Sequence, residues 1–466
     1  MILLKIPRIV LGAARSSAGK TTVSSGLMGA FLKRGLRVQP FKVGPDYIDP
    51  SYHSIIAGRR SRNLDTWLTS KEIVPDIFVH AFRGADIAVI EGVMGLYDGK
   101  DETGTGSTAE IAKLLNAPVI LVVDVRSVGI SVAAEVLGYQ KYDPEVNIAG
   151  VILNKVGSKK HETITKKAIE RATSIPVLGA LPREENVEMD ERHLGLIPTY
   201  EHKTDQQVSA VTSFIKDHVD LPKIFEIACS APKLIPPKRS IFSPKKRKDG
   251  REVRVGVAFD EAFNFYYWDN IELLEAKGCT VVFFSPVNDR SLPSDLAMIY
   301  IGGGFPELFA EKLQENVSMR KAIKQVAEDE MPILAECGGL MYLTRSMKDF
   351  NGRTYEMVSL VPSVTVMSKK LTALGYTSCL LLKDSLLGKE GMRIRGHEFH
   401  YSFIDPETLP KDTEYVYQVE IGKGINEKKD GIVVHNTVAS YTHTHLACRE
   451  DLVDVLILSA ERYTKS

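Results

Sequence analysis

Two short stretches of this chain carry residues whose types and spacing point to chemistry. The first is Gly12-Ala-Ala-Arg-Ser-Ser-Ala-Gly-Lys-Thr-Thr, a run of small residues ending in Gly19, Lys20 and Thr21. Backbone N–H groups of such a loop, with the positive end of a following helix, cradle phosphate oxygens. A lysine placed there reaches the β- and γ-phosphates, and the next hydroxyl is a ligand for Mg²⁺. The loop departs from the strict G-x-x-x-x-G-K-[ST] pattern at Ala14, where a glycine is usual. The second stretch is Met331-Pro-Ile-Leu-Ala-Glu-Cys-Gly-Gly-Leu-Met-Tyr-Leu, an apolar run that ends on Cys337 and passes through two glycines into a helical pattern. A sharp strand-to-helix turn exposes a nucleophile, and a helix N-terminus favours its thiolate. Small neighbours such as Gly338 let backbone N–H groups approach an oxyanion. Gly303, in Ile301-Gly-Gly-Gly-Phe-Pro-Glu, is expected to supply a second donor.

A nucleotide and its metal need acidic partners at neighbouring strand ends. Ile87-Ala-Val-Ile-Glu-Gly-Val-Met-Gly-Leu-Tyr-Asp-Gly supplies Glu91 and, in the loop beyond, Asp98. Lys42-Val-Gly-Pro-Asp-Tyr-Ile-Asp-Pro supplies Asp46 and Asp49, the latter reading equally well as a helix-cap or turn residue. Both loops leave C-terminal strand ends, where open α/β sheets bind ligands. Asn154, at another strand end, is positioned to read an adenine edge. The arginines of Gly58-Arg-Arg-Ser-Arg-Asn either clamp substrate carboxylates through paired hydrogen bonds or are merely solvated. A cysteine nucleophile also needs a base, and His397, His400, His443 and His445 are the candidates. His443 and His445 are two apart, so a strand turns both rings to one face and position does not choose between them. With no third ligand in evidence, the pair is not read as a metal site.

The elements that must hold these groups follow from the hydrophobic pattern. Short β-branched runs at 8–11, 37–42, 87–90, 119–123, 148–153 and 177–178 alternate with amphipathic stretches at 21–34, 109–115, 130–142 and 161–173. Strands apolar on both faces and alternating with helices predict a mostly parallel sheet covered by helices. The alternation stops in the proline-rich, basic stretch 229–251, which reads as a solvated linker. It restarts at 252, and beyond about residue 353 the pattern is richer in strands. The expected organisation is an α/β chain of two domains, 1–228 and 252–466. Lys+Arg and Asp+Glu both total 59 over 466 residues, so no net field favours nucleic acid or an anionic membrane. Five scattered cysteines without a C-x-x-C pair argue against a disulfide framework. No apolar run approaches the roughly 18–20 residues needed to span a bilayer, and a cytoplasmic setting is expected.

Taken in order, Gly-Lys-Thr-Thr, Val-Gly-Pro-Asp-Tyr-Ile-Asp-Pro, Glu-Gly-Val-Met-Gly-Leu-Tyr-Asp-Gly, Ala-Glu-Cys-Gly-Gly-Leu-Met-Tyr-Leu, Gly-His-Glu-Phe-His-Tyr-Ser and Ala-Ser-Tyr-Thr-His span nearly the whole chain. This series resembles the cobyrinic acid and Ni-sirohydrochlorin a,c-diamide synthases. The resemblance implies an N-terminal domain like dethiobiotin synthetase and a C-terminal class I glutamine amidotransferase domain. It implies ATP- and glutamine-dependent amidation of the a- and c-acetate side chains of a tetrapyrrole, through an acyl phosphate and in the presence of Mg²⁺, by a homodimer. Under it Cys337 is the glutaminase nucleophile and His443 its base, with no acidic third member. Lys20, Thr21, Asp46, Glu91 and Asn154 fall to ATP and Mg²⁺; Asp46, Tyr47 and Asp98 fall to the substrate. Two rivals remain at this stage. Cobyric acid synthase amidates other side chains of the same ring, and in a P-loop partitioning ATPase Arg15 would stand near an extra switch lysine. The latter leaves the Cys337 turn without a task.

Overall fold

The computed structural model describes residues 3–184, 203–245 and 252–465. They form two compact units: Met1–Thr66 with Ser70–Ser240, and Trp67–Thr69 with Ile241–Ser466.

In the first unit the chain runs β1 (Arg8–Ala13), α1 (Lys20–Lys33), β2 (Val38–Val43), α2 (Ile48–Ala57), β3 (Arg62–Leu64), α3 (Val74–Phe82), β4 (Ile87–Glu91) and α4 (Thr108–Leu114). It continues through β5 (Val119–Asp124), α5 (Val132–Tyr142), β6 (Ile148–Val156), α6 (Lys159–Thr173), β7 (Val177–Pro182), α7 (Lys203–His218) and α8 (Leu221–Ser230). The strands make one sheet in the order β3-β2-β4-β1-β5-β6-β7, every pair parallel. β1, β2, β4 and β5 are buried at every residue. That is why they read as unbroken apolar runs: helices cover both faces of a parallel sheet. β1 lies between β4 and β5, so the loop leaving β1 opens at the point where the strand order turns back, the usual ligand crevice of such sheets. Pairing of Leu11 with Glu91 and of Asp124 with Asn154 brings the polar strand ends to that edge.

The expected linker is largely held. Leu4 and Leu234 exchange backbone hydrogen bonds of 2.9 Å. The fully buried Arg8 donates to Leu115 O at 2.7 Å and to Pro232 O at 2.6 Å. Residues through Ser240 thus pack with the first unit, and Lys245 N donates to Ala276 O of the second. Only 246–251 of the stretch lie outside the described residues. The composition suggested solvent because its prolines and lysines lack periodicity, yet a buried guanidinium needs carbonyl partners wherever they come from.

The second unit begins β8 (Val253–Ala258), β9 (Phe263–Phe265), α9 (Trp268–Ala276), β10 (Cys279–Phe284), β11 (Leu296–Ile301), β12 (Gly303–Gly304), α10 (Ala310–Glu315), α11 (Val317–Glu328), β13 (Ile333–Glu336) and α12 (Gly338–Leu343). Then follow β14 (Thr344–Lys348), β15 (Thr354–Glu356), β16 (Val361–Met367), β17 (Ala373–Leu381), β18 (Arg393–His400) and β19 (Ser402–Ile404). The chain closes with β20 (Tyr415–Ile421), β21 (Lys429–Val434), β22 (Thr437–Ser440), β23 (His443–Thr444) and α13 (Leu452–Tyr463). A ten-stranded sheet runs β10-β8-β11-β13-β22-β21-β20-β17-β18-β23. It is parallel from β10 to β22 and antiparallel beyond. β13, buried throughout, delivers Cys337 from the parallel part, while β23 delivers His443 from the far antiparallel edge. Among the described residues no helix is long and apolar enough to cross a membrane.

Candidate active sites

The phosphate loop is shaped by two residues in the left-handed region. Ser17 and Gly19 have φ of 60° and 94°, and Gly19 sits as the N-cap of α1. A Cβ on Gly19 would stand 2.2 Å from Asn154 Nδ2, which itself donates to Ala18 O at 2.9 Å. Asn154 therefore braces the loop from β6. Lys20 Nζ donates to Met94 O at 2.6 Å, tying this loop to the one that leaves β4.

Beneath the loop lies a cluster around Glu91. Its carboxylate is fully buried and accepts from Thr21 Oγ1 at 2.8 Å, Lys42 Nζ at 2.7 Å and Ser24 Oγ at 2.5 Å. His53 Nε2 lies 2.8 Å from its other side. Burial alone would raise this carboxyl, but Lys42 and His53 outweigh it and hold it well below the usual carboxylate range. Burial likewise opposes charge on Lys42, and Asp49, Glu91 and Asp46 overcome it, raising the ammonium far above an ordinary lysine. Asp49, 2.5 Å from Lys42 Nζ, is pushed up by burial. Asp46 Oδ1 accepts from Ile48 N at 3.0 Å, fixing the turn into α2, with Tyr47 buried beside it as the N-cap. Asp98 is exposed and closes its own turn by accepting from Gly95 N at 3.0 Å.

The structure thus joins Lys20, Thr21, Glu91 and Asn154 around one loop, brings in Asp46 through Lys42, and leaves Asp98 on a separate turn. Sequence reasoning missed Lys42, Ser24 and His53. Asp49 and His53 are four apart on α2, so one helical face carries two polar groups at the sheet, and that spacing was the available signal. Of the arginine group, the half-buried Arg59 is engaged within the fold. It donates to Gln39 Oε1, Ala81 O and Arg83 O at 2.9, 3.0 and 2.8 Å. A hydroxyl with carboxylate oxygens is a hard, all-oxygen donor set that suits Mg²⁺. No group of three or more His, Cys, Asp or Glu among the described residues forms a metal cage.

The cysteine site is a strained turn. Cys337 has φ 50° and ψ −99°, a conformation a non-glycine residue holds at a cost of roughly 1–3 kcal/mol. The turn is held by Cys337 N donating to Ser440 O at 2.7 Å, and α12 begins at the next residue. Gly304 N lies 3.1 Å from where a Cβ on Gly338 would stand, so the glycine-rich strand β12 abuts the nucleophile turn. A Cβ on Gly303 would stand 2.5 Å from His443 Cε1 and 3.4 Å from Nε2. The imidazole of His443 and the turn after Cys337 therefore both abut the glycine strand. Burial, then Glu307, push the Cys337 thiol well up. Burial, then His397 and His400, push His443 down to about 3. The resting pair is a neutral thiol and a neutral imidazole.

His443 and His445 have different partners, although their spacing does not tell them apart. β23 ends at Thr444, and His445 caps the turn Leu446–Cys448, its Nδ1 accepting from Ala447 N at 3.2 Å. Its ring packs on Tyr267 with centroids 5.0 Å apart, 3.7 Å from Asp269 Oδ2. His397 pairs directly across from His443. His400 stacks on Tyr441 at 3.7 Å and donates from Nδ1 to Ser402 O at 2.7 Å.

A phosphate loop on a parallel sheet, followed by a cysteine on a strand-to-helix turn beside glycine amides and a histidine, defines a nucleotide-binding unit fused to a glutamine amidotransferase. Residues 9–197 match the CobQ/CobB/MinD/ParA nucleotide binding domain, and 254–451 match the CobB/CobQ-like glutamine amidotransferase domain. The cobyrinate a,c-diamide synthase of Methanosarcina acetivorans is 44% identical over 99% of this chain and 97% of its own length. Those of Methanobrevibacter smithii and Caldanaerobacter subterraneus are 45% and 44% identical, over 97% and 94% of this chain and 99% and 94% of their own. The chain belongs to the cobyrinate a,c-diamide synthase family and is a glutamine-hydrolysing amide ligase.

Proposed function

We propose that this enzyme converts the a- and c-acetate carboxylates of cobyrinate to carboxamides, taking an ATP and a glutamine for each amide. One observation carries the reading: a single chain holds both a phosphate loop facing the buried Glu91–Lys42 cluster and a strained cysteine turn beside glycine amides. A carboxylate does not accept ammonia in neutral water, so it must first be activated. A substrate carboxylate oxygen attacks the γ-phosphorus of ATP, ADP leaves, and an acyl phosphate results. Lys20 would exchange Met94 O for the transferring phosphoryl oxygens, and Glu91 would orient Thr21 toward the metal. Thr21, with Glu91 and Asp46 nearby, would hold Mg²⁺, which would supply positive charge to the phosphates. Asp46, Tyr47 and Asp98 contact the tetrapyrrole, and Asn154 contacts the nucleotide. In the other unit Cys337 Sγ attacks the glutamine carboxamide as His443 takes the thiol proton. Amide nitrogens of Gly303 and Gly338 stabilise the oxyanion. His443 returns the proton to the leaving nitrogen, ammonia departs, and water clears the thioester to glutamate. Ammonia then displaces phosphate from the acyl phosphate. The names of near-full-length relatives support cobyrinate as the substrate. The test offers cobyrinic acid and Ni-sirohydrochlorin side by side with ATP, Mg²⁺ and glutamine, and follows amidation by mass spectrometry. Two amidations of cobyrinic acid are expected. Amidation of the nickel compound alone would move the enzyme to a nickel tetrapyrrole pathway, and amidation of neither would overturn the reading.

A further inference from the structure

Glu336 directly precedes the nucleophile, yet its side chain has no part in the chemistry above. It ends β13 at 1% exposure, and burial raises its carboxyl to about 7. A buried carboxyl is costly unless it is well paired. Its two oxygens accept from donors on two other strands: Thr444 N at 2.8 Å and Tyr300 OH at 2.8 Å. Thr444 follows His443, and Tyr300 lies on β11 just ahead of Gly303. Asn270 of α9 completes the arrangement. Its Nδ2 donates to Thr444 O at 2.8 Å, and its Oδ1 accepts from Leu446 N at 2.7 Å. Both backbone groups of Thr444 are thus gripped by buried side chains from other elements. They have reason to be, since β23 is two residues long, lies at the sheet edge and pairs only with β18.

We propose that Glu336 is a positioning residue: with Tyr300 and Asn270 it locks the segment after His443 against the Cys337 turn and the Gly303 strand. The acid of an ordinary Cys-His-acid triad acts on the imidazole ring, whereas Glu336 acts on the backbone one residue beyond it. The inference rests on the reading of Cys337 and His443 as nucleophile and base. It requires hydrogen-bond acceptance rather than charge. A carboxamide oxygen accepts from Thr444 N equally well, and the Tyr300 hydroxyl can turn to accept from the amide nitrogen.

The experiment compares glutaminase kinetics of the full chain with Glu336→Ala, Glu336→Gln and Tyr300→Phe, using ammonium-driven amidation to check that the rest of the enzyme is intact. Glu336→Ala is expected to lower kcat by about 10²-fold, the scale for a catalytic group displaced by ~1 Å, with little change in KM for glutamine. Glu336→Gln should restore most of the rate. Full glutaminase activity in Glu336→Ala, or a Gln variant as slow as the Ala one, overturns the proposal. If Glu336→Ala also loses ammonium-driven amidation, Tyr300→Phe decides. A fall in kcat of about fivefold, one hydrogen bond's worth, at unchanged KM supports the lock, and an unchanged kcat overturns it. Cys337→Ala separates the two layers, since glutaminase surviving there defeats the nucleophile assignment itself.

Discussion

Substituting Gly303 by alanine is the sharpest test of the glutaminase geometry, because it adds one carbon at a known place. The new Cβ would stand 2.5 Å from His443 Cε1, 3.4 Å from Nε2 and 3.4 Å from Phe265 Cβ. Ordinary contact between carbons begins near 3.5 Å, so the imidazole must withdraw by about 1 Å. Nothing else about the substitution is strained, since Gly303 lies outside the left-handed region that disfavours side chains. A catalytic group moved by ~1 Å loses on the order of 10²-fold in rate, or about 2.7 kcal/mol of barrier. The assay is glutaminase kcat/KM beside amidation driven by high ammonium. The first should fall about 10²-fold and the second should be unchanged, because ammonium bypasses the glutamine site. Near-normal glutaminase would refute the placement of His443 against this strand. Equal loss from both nitrogen sources would mean that the alanine damages the unit rather than the base.

Cys337→Ala should abolish glutamine-driven amidation while ammonium-driven synthesis survives; equal loss of both would make Cys337 structural. His443→Asn should lower glutaminase by roughly 10²-fold or more, the scale of general-base assistance. If His445→Asn does this instead, the assignment is reversed. Glu91→Gln should reduce amidation by orders of magnitude with either nitrogen source, because it removes one of the two carboxylates on Lys42 and the charge behind Thr21; normal turnover with ammonium would move that role to Asp46. Acid stability supplies an independent check. Burial holds His400 down to about 4 and His443 to about 3, against an ordinary 6.5. Between about 4 and 6.5 the unfolded chain binds protons that the folded chain refuses, so these groups make stability fall as pH drops through that window. Glu336 and Glu307, raised to about 7 by burial, act in the opposite sense. The readout is therefore the difference between the protein and its His400→Phe variant in urea midpoints at pH 7 and pH 5. The variant should lose less stability on acidification, and an identical loss would show that His400 is not buried neutral.

Much of this protein was legible in one dimension wherever function depends on residues close in sequence. A phosphate loop is local: a strand, a run of small residues and a helix supply all its backbone donors, so Gly19, Lys20 and Thr21 announce it. The Cys337 turn is local for the same reason, and the parallel sheet shows itself because strands buried on both faces admit only apolar residues. What only the tertiary structure decided are contacts between elements far apart in the chain. Lys42, Ser24 and His53 meet Glu91 because β2, α1 and α2 converge on the end of β4, and nothing in their own neighbourhoods names the partner. His443 and His445 are alike in sequence. Only their neighbours in space tell them apart: one ring meets Gly303 and the other meets Tyr267. Glu336 looked like a strand residue beside a nucleophile. Its grip on Thr444 and Tyr300 exists only once β11, β13 and β23 converge in the folded unit, since a hydrogen bond depends on distance in space and not on separation along the chain.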